Sequence, residues 1–196
     1  MPFESFENFL RNLREESLNL EIPALPESSA KFLSLITYMY PHKNIKIVEL
    51  GSGIGYSIFW MLYGILKSDK KAIIYGVERK EENIKKAIEI LEKAQSILNL
   101  NLKEYIIFYK SDSKNLKGSE FGDSIDILFL DIDKKGYLPS FLKFKPYMKR
   151  NGIVIAHNVF SHREELSDFI NEINKEEYFT IFLETDPQGI SVTFLK

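Results

Sequence analysis

The 196-residue chain contains no cysteine. That excludes disulfides, thiolate metal sites and a cysteine nucleophile, and leaves stability to an apolar core that a chain of this length can build. No apolar run approaches the roughly 18 residues needed for a membrane-spanning helix. There is no strong charge of either sign: 26 basic against 28 acidic residues leave a net −2, which argues against a large nucleic-acid footprint. Repeats, low-complexity tracts and linker-like stretches are missing too, so residues 1–196 are expected to form one domain. The opening Met-Pro-Phe-Glu carries an early acid and does not read as a secretory leader, which makes cytoplasm the default expectation. With 44% hydrophobic and 28% charged residues, the composition is that of a folded protein rather than a disordered one.

Against these absences stands a regular alternation. Residues 3–20 have helical spacing, broken by Ile22-Pro23-Ala24-Leu25-Pro26. A second helix is expected over 28–40, closed by Pro41. Short apolar runs at 45–50, 72–77, 105–109, 125–130 and 153–156 predict buried strands. Helices are expected at 56–67, 81–98, 137–148 and 164–174. In 81–98, Ile84, Ala87, Ile88, Leu91, Ala94 and Leu98 share one face. Two last strands, 179–183 and 190–195, are joined by Asp186-Pro187-Gln188-Gly189 with no helix between them. Strands alternating with helices imply right-handed parallel units and an α/β, doubly wound, Rossmann-like sheet. The final pair predicts an antiparallel hairpin at its edge, giving seven strands with the last one antiparallel. Residues 1–41 form an N-terminal helical cover over the cofactor site, suited to a substrate lid or a homodimer contact.

Three glycines, Gly51, Gly53 and Gly55, sit where the first strand turns into a helix, followed by Tyr56 and Ser57. Glycine is common in such turns, but three at alternate positions directly after a strand suit close backbone approach to a ligand. The dinucleotide spacing G-x-G-x-x-G is not met, because its third glycine falls on Tyr56 or Ile58. Glu49, two residues upstream, would repel a pyrophosphate and suits a cationic ligand; S-adenosylmethionine carries a sulfonium and an ammonium. Glu78 ends the second strand, where an acid can accept two hydrogen bonds from ribose hydroxyls, or else serve the following helix as an N-terminal acid. Asp112, after the third strand, can accept from an adenine amino group or cap a turn. The cofactor-binding candidates are thus Glu49, Gly51, Ser52, Gly53, Gly55, Tyr56, Ser57, Glu78 and Asp112, with Asp131 opposite the glycines at the end of the fourth strand. The expected cofactor is S-adenosylmethionine.

With these residues in view, the chain resembles the cation-dependent O-methyltransferases, the group containing the catechol and caffeoyl-CoA enzymes. The likeness runs from about Pro26 to the C-terminus. It is carried by Pro26-Glu27, by Val48-Glu49-Leu50-Gly51-Ser52-Gly53-Ile54-Gly55-Tyr56-Ser57, by the Glu78 strand and by the stretch Asp126-Ile127-Leu128-Phe129-Leu130-Asp131-Ile132-Asp133-Lys134-Lys135-Gly136-Tyr137. The last matches a family pattern Asp-x-Asp-Lys-x-x-Tyr. The resemblance implies a divalent metal on Asp131, His157 and Asn158, and Lys134 as the base that takes the acceptor's proton. Asn158 matches the family; His157 stands where the family has aspartate. A site of one carboxylate, one imidazole and one amide suits Mn²⁺, Fe²⁺, Co²⁺ or Zn²⁺ better than Mg²⁺. Alternatively no metal binds and His157 is itself the proton acceptor or a substrate contact. The catalytic candidates are therefore Lys134 and His157. The segment after Asn158 is shorter than in the family, and Pro187-Gln188-Gly189 replaces its Gly-Asp-Gly, so the family's phenolic substrate does not carry over.

The expected activity is S-adenosylmethionine-dependent methyl transfer to a small-molecule hydroxyl. Two other readings keep the fold: aminopropyl transfer from the decarboxylated cofactor, which asks for an acidic cluster larger than Asp131 and Asp133, and a non-catalytic cofactor-binding domain within an assembly.

Overall fold

The computed structural model describes residues 3–196; Met1 and Pro2 lie outside the described residues. Along the chain run α1 (Phe3–Asn19), α2 (Glu27–Met39), β1 (Asn44–Leu50), α3 (Tyr56–Lys67), β2 (Lys71–Glu78), α4 (Glu81–Leu98), β3 (Ile106–Lys110), β4 (Ile125–Leu130), α5 (Tyr137–Phe144), β5 (Met148–His157), α6 (Ser167–Ile173), β6 (Tyr178–Leu183) and β7 (Ile190–Leu195). The strands form one sheet in the order β3-β2-β1-β4-β5-β7-β6. The first five pair in parallel, and β7 runs antiparallel between β5 and β6. This is the doubly wound sheet with an antiparallel strand that the alternation predicts.

Strand β4 is buried along its whole length, as a central parallel strand covered on both faces must be. Side-chain alternation divides the core. Ile47, Ile127, Phe129, Ile153, Ile155 and Val192 face the layer built by α1, α2, α3 and α4. Val48, Leu50, Leu128, Leu130, Val154 and Ala156 face α5 and α6, through Tyr137, Phe141, Phe144 and Phe169. Helix α2 lies so close on α3 that a Cβ on Gly64 would come within 2.1 Å of the Ser34 carbonyl oxygen.

Three expectations shift. Helix α6 begins at Ser167, not 164. Helix α5 ends at Phe144, not 148, and a single 3-10 turn over Lys145–Tyr147 leads into β5. Pro146 is the reason: it has no N–H to give the helix, and its ring crowds the carbonyl four residues back. The N-terminal region contributes to the cavity wall through Leu18 at the end of α1 and, mainly, through the connection that follows, with Glu21, Ile22, Pro23 and Leu25. The helices themselves pack on α3 and α4.

The register decides what meets at the carboxyl end of the sheet. Leu50 pairs with Leu130, Leu130 with Ala156 and Ala156 with Ser191. One step further along lie Gly51, Asp131 and His157 side by side, with His157 paired to Ile190. The order reverses between β1 and β4, so the loops leaving them part and open a crevice there.

Candidate active site

Gly51 starts that crevice at φ +94°, a backbone shape that side chains resist. A Cβ on it would meet the Asp131 carbonyl oxygen at 2.1 Å, so only glycine lets the two loops close up here. The Gly51 and Ser52 amides both donate to the Val77 carbonyl, at 2.9 and 3.0 Å. Gly55, at φ +95°, precedes the first residue of α3. The cavity above has a volume of about 720 Å³.

Of the residues expected to hold a cofactor, Gly51, Gly53, Glu78, Asp112 and Asp131 line this cavity. Glu49, Ser52, Gly55, Tyr56 and Ser57 lie behind its wall and are buried. Glu78 accepts from the Gly53 amide at 3.1 Å and from the Lys80 amide at 2.8 Å, one on each carboxylate oxygen. Each oxygen has a lone pair left over, so holding the glycine loop and accepting ribose hydroxyls are compatible. Asp112 caps the turn that follows it, accepting from the Lys114 amide at 2.9 Å through one oxygen; the turn reading is therefore met while the residue remains on the cavity wall.

Glu49 corrects the simple charge argument. Its carboxyl is 1% exposed; one oxygen accepts from the Ser57 hydroxyl and the other has no partner among the described residues. Burial pushes its pKa up to about 8, against the Ser57 bond and with help from the nearby Asp131 and Glu78 carboxylates. A carboxyl so placed is mostly protonated at neutral pH, and attracts a cation only as far as that cation draws off its proton.

At the other end of the cavity stand Asp131, Lys134, His157 and Asn158. The Lys134 ammonium donates to the Asn158 side-chain oxygen, to the Ile132 carbonyl at 3.2 Å and to the Tyr137 hydroxyl at 3.3 Å, and lies 3.9 Å from Asp131 Oδ1. Its side chain is only 15% exposed; burial lowers its pKa, while Asp131, Asp133 and Glu165 act in the opposite direction. Lys135, beside it, is exposed. The Tyr137 hydroxyl donates to the His157 carbonyl at 3.1 Å, and burial pushes its pKa far up, so it stays a neutral donor. His157 lies with Nδ1 3.6 Å from Asp131 Oδ1 and Nε2 3.3 Å from Asp186 Oδ2.

The three expected metal ligands do converge, but their donor set does not fit a divalent ion as it stands. The niche between Asp131 and Asn158 holds the Lys134 ammonium, already bonded to the amide oxygen. A doubly charged ion about 4 Å from that ammonium would be repelled by about 8 kcal/mol at an effective dielectric of about 20. The imidazole's Nε2 is turned to the buried Asp186 carboxylate and its Nδ1 to Asp131. Among the described residues, no group of three His, Asp or Glu is arranged to hold an ion.

The sequence reading passed over Asp186. It is 8% exposed, and it accepts from Ser29 on α2 and from the Gln188 and Gly189 amides at 2.6 and 3.2 Å. Burial raises its pKa, but Ser29, those amides and His157 outweigh that and hold it below the ordinary carboxylate range. Asp-Pro-x-Gly reads only as a turn; the available signal was His157 itself, a buried imidazole in need of a partner. Of the other histidines, His162 lines the cavity and meets the Ser161 hydroxyl at 2.9 Å, and His42 is exposed beside Tyr40.

Residues 48–159, more than half of the chain, match the family described as "Methyltransferase domain". Solved structures share the fold at low identity. The O-methyltransferase of Bacillus cereus, in complex with S-adenosylhomocysteine, superposes with a TM-score of 0.79 at 19% identity, over 96% of this chain and 91% of that one. The O-methyltransferase TomG of Streptomyces achromogenes, in complex with S-adenosylmethionine, gives 0.78 at 14%, over 96% and 89%. An S-adenosylhomocysteine-bound methyltransferase of Podospora anserina gives 0.75 at 16%, over 100% and 89%.

The state of Glu49 has a measurable consequence. Its pKa is raised on folding, from 4.5 to about 8, so the folded chain keeps a proton that the unfolded chain releases. The stability cost therefore grows as pH rises through that window. Glu49→Gln keeps an acceptor for Ser57 and removes the cost. Its stability relative to wild type is expected to rise by about 3 kcal/mol between pH 5 and pH 8. Denaturant melts across that range would check this; a difference that stays flat would mean that Glu49 is ionised throughout.

Proposed function

The chain belongs to the methyltransferase-domain family, and on that premise we propose that it transfers a methyl group from S-adenosylmethionine to a hydroxyl of a small molecule. The observation that carries this reading is the single cavity onto which the glycine turn, Glu78 and the Asp131–Lys134–His157–Asn158 cluster all open. The cofactor fits the residues present. Gly51 and Gly53 give backbone access, Glu78 has free lone pairs for a diol, Asp112 has a second carboxylate oxygen for an amine, and the unpartnered Glu49 oxygen lies beneath the glycine loop. When bound, it supplies a sulfonium methyl: the acceptor oxygen takes that carbon as the carbon–sulfur bond breaks, and the electron pair stays on sulfur.

The chain's own residues have two tasks, to hold the acceptor oxygen and to remove its proton. His157 is the proton acceptor in this reading, because it lines the cavity and, among the described residues, its Nδ1 makes no hydrogen bond. Lys134 is the cation that stabilises the oxygen as its proton leaves. Its bonds to Asn158, Ile132 and Tyr137 use it as a donor, which favours this role over the base role implied by the resemblance. A cationic group at this spot supplies what a metal would otherwise supply, charge beside a developing oxyanion. The aminopropyl reading is disfavoured because, among the described residues, the carboxylates lining this part of the wall are Asp131 and Asp133. A non-catalytic domain would have no use for an imidazole held at the cavity wall.

Two outcomes are expected. Calorimetry should give micromolar binding of S-adenosylmethionine and negligible binding of NAD, and Glu78→Ala should weaken the former by about 1.5–3 kcal/mol; tighter NAD binding would refute the cofactor assignment. Methyl transfer from labelled S-adenosylmethionine, screened over a panel of hydroxylated small molecules, should persist in excess chelator. Transfer that a chelator abolishes and Mn²⁺ restores would show that a metal, not Lys134, serves the oxygen.

A further inference from the structure

His157 has a buried partner whose two oxygens are used differently. Oδ1 of Asp186 accepts from the Gln188 and Gly189 amides, at 2.6 and 3.2 Å, and these two bonds close the turn between β6 and β7. Oδ2 takes no part in the turn. It accepts from the Ser29 hydroxyl and faces His157 Nε2 at 3.3 Å. Ser29 is in turn backed by the Thr185 hydroxyl at 2.6 Å. A carboxylate offers about four acceptor sites; three are filled by Ser29, Gln188 and Gly189, and the fourth is directed at the imidazole.

The alternative tautomer is disfavoured by the same geometry. If the neutral ring carried its proton on Nδ1, the bare Nε2 lone pair would face a carboxylate oxygen in a site where His157 and Asp186 side chains are 4% and 3% exposed. Two acceptors forced together without water are costly. With the proton on Nε2, both groups are satisfied. Nδ1 then points toward Asp131, whose Oδ1 at 3.6 Å is beyond hydrogen-bond reach. Lys134 in turn lies 3.9 Å from Asp131 Oδ1. Tyr137 bonds to the His157 carbonyl and leaves the ring alone.

We propose that Asp186 is a positioning residue for proton removal: by accepting the Nε2 proton of His157, it fixes the ring in one tautomer and leaves Nδ1 free to take the proton of the acceptor hydroxyl. The proposal rests on the reading of His157 as proton acceptor given above. As the acceptor oxygen gives up its proton, the imidazole becomes a cation between two carboxylates, Asp186 and Asp131, which stabilise it. The role of a carboxylate beside a catalytic histidine is to set tautomer and orientation and to stabilise the imidazolium. Here that carboxylate comes from the β6–β7 turn, and Ser29 ties its position to α2.

The chain has three histidines, so the test needs no substrate. Nitrogen-15 spectra of the imidazole rings distinguish protonated from bare ring nitrogens, and His157→Gln identifies the His157 signals. The probe is the full chain with S-adenosylhomocysteine at about pH 8.5, above the ordinary imidazole range. Wild type is expected to carry one proton, on Nε2, with Nδ1 bare. Asp186→Asn keeps an oxygen for the Gln188 and Gly189 amides but presents an NH₂ donor to the ring, so the proton should move to Nδ1. The S-adenosylhomocysteine dissociation constant should change less than about twofold. A proton on wild-type Nδ1, alone or together with one on Nε2, would overturn the proposal even if the Asn variant failed to fold. So would an unchanged tautomer in a folded Asp186→Asn. If instead wild type did not bind S-adenosylhomocysteine while the tautomer behaved as expected, the methyltransferase reading would fall and the Asp186–His157 pairing would stand.

Discussion

The site depends on one close contact. Gly51, leaving β1, touches the backbone of Asp131, leaving β4, with no room for even a methyl group between them. That contact sits where the strand order reverses, and it fixes the floor of the crevice that opens above it. From it follow the positive φ at Gly51, the direction in which α3 starts and the height at which Asp131 projects. Register does the rest. Because β5 pairs with β4 in parallel and with β7 in antiparallel fashion, His157 arrives beside Asp131, and the β6–β7 turn arrives beside His157. A slip of one residue in either pairing would send His157 to the opposite face of the sheet.

The electrostatics of the cavity arise from burial as much as from formal charge. Glu49 is an acid by sequence, but its enclosure favours the protonated form, so its contribution to a cationic ligand is conditional on that ligand's arrival. Lys134 is pulled inward, away from its exposed neighbour Lys135, by acceptors from Ile132, Tyr137 and Asn158. Its positive charge lies 3.9 Å from Asp131, the residue on which the resemblance to metal-dependent enzymes implies an ion. His157 stands where the resemblance implies aspartate: an imidazole is a poorer ligand than aspartate for a hard ion, and in the proposed reading it is the proton acceptor, with Asp186 beside it.

Most of the fold was legible in the sequence because it is written in local patterns. Apolar runs of five or six residues marked the parallel strands, and the i, i+4 charge pairs and single apolar face marked α4. The missing helix between the last two strands marked the antiparallel hairpin. The glycine spacing and Glu78 marked residues that the fold brings to one cavity. What escaped was set by contacts distant in sequence or by single-residue effects. Pro146 shortens α5 by removing one donor. The burial of Glu49 depends on how α3 closes over it. Asp186 looks like an ordinary turn residue until β5 and β7 pair and bring His157 to its Oδ2, with Ser29 arriving from 157 positions away in the chain. No pattern confined to a short window encodes a meeting of that kind.

The central claim is that one crevice holds the methyl donor against a metal-free corner built by Lys134, His157 and Asn158. A crystal structure of the protein grown with S-adenosylhomocysteine and soaked in Mn²⁺ tests it most directly. The account predicts the ribose hydroxyls on Glu78, the thioether sulfur facing that corner, and no metal density between Asp131 and Asn158. A ligand seated away from Glu78, or a manganese ion coordinated by Asp131, His157 and Asn158 with Lys134 displaced, would contradict it.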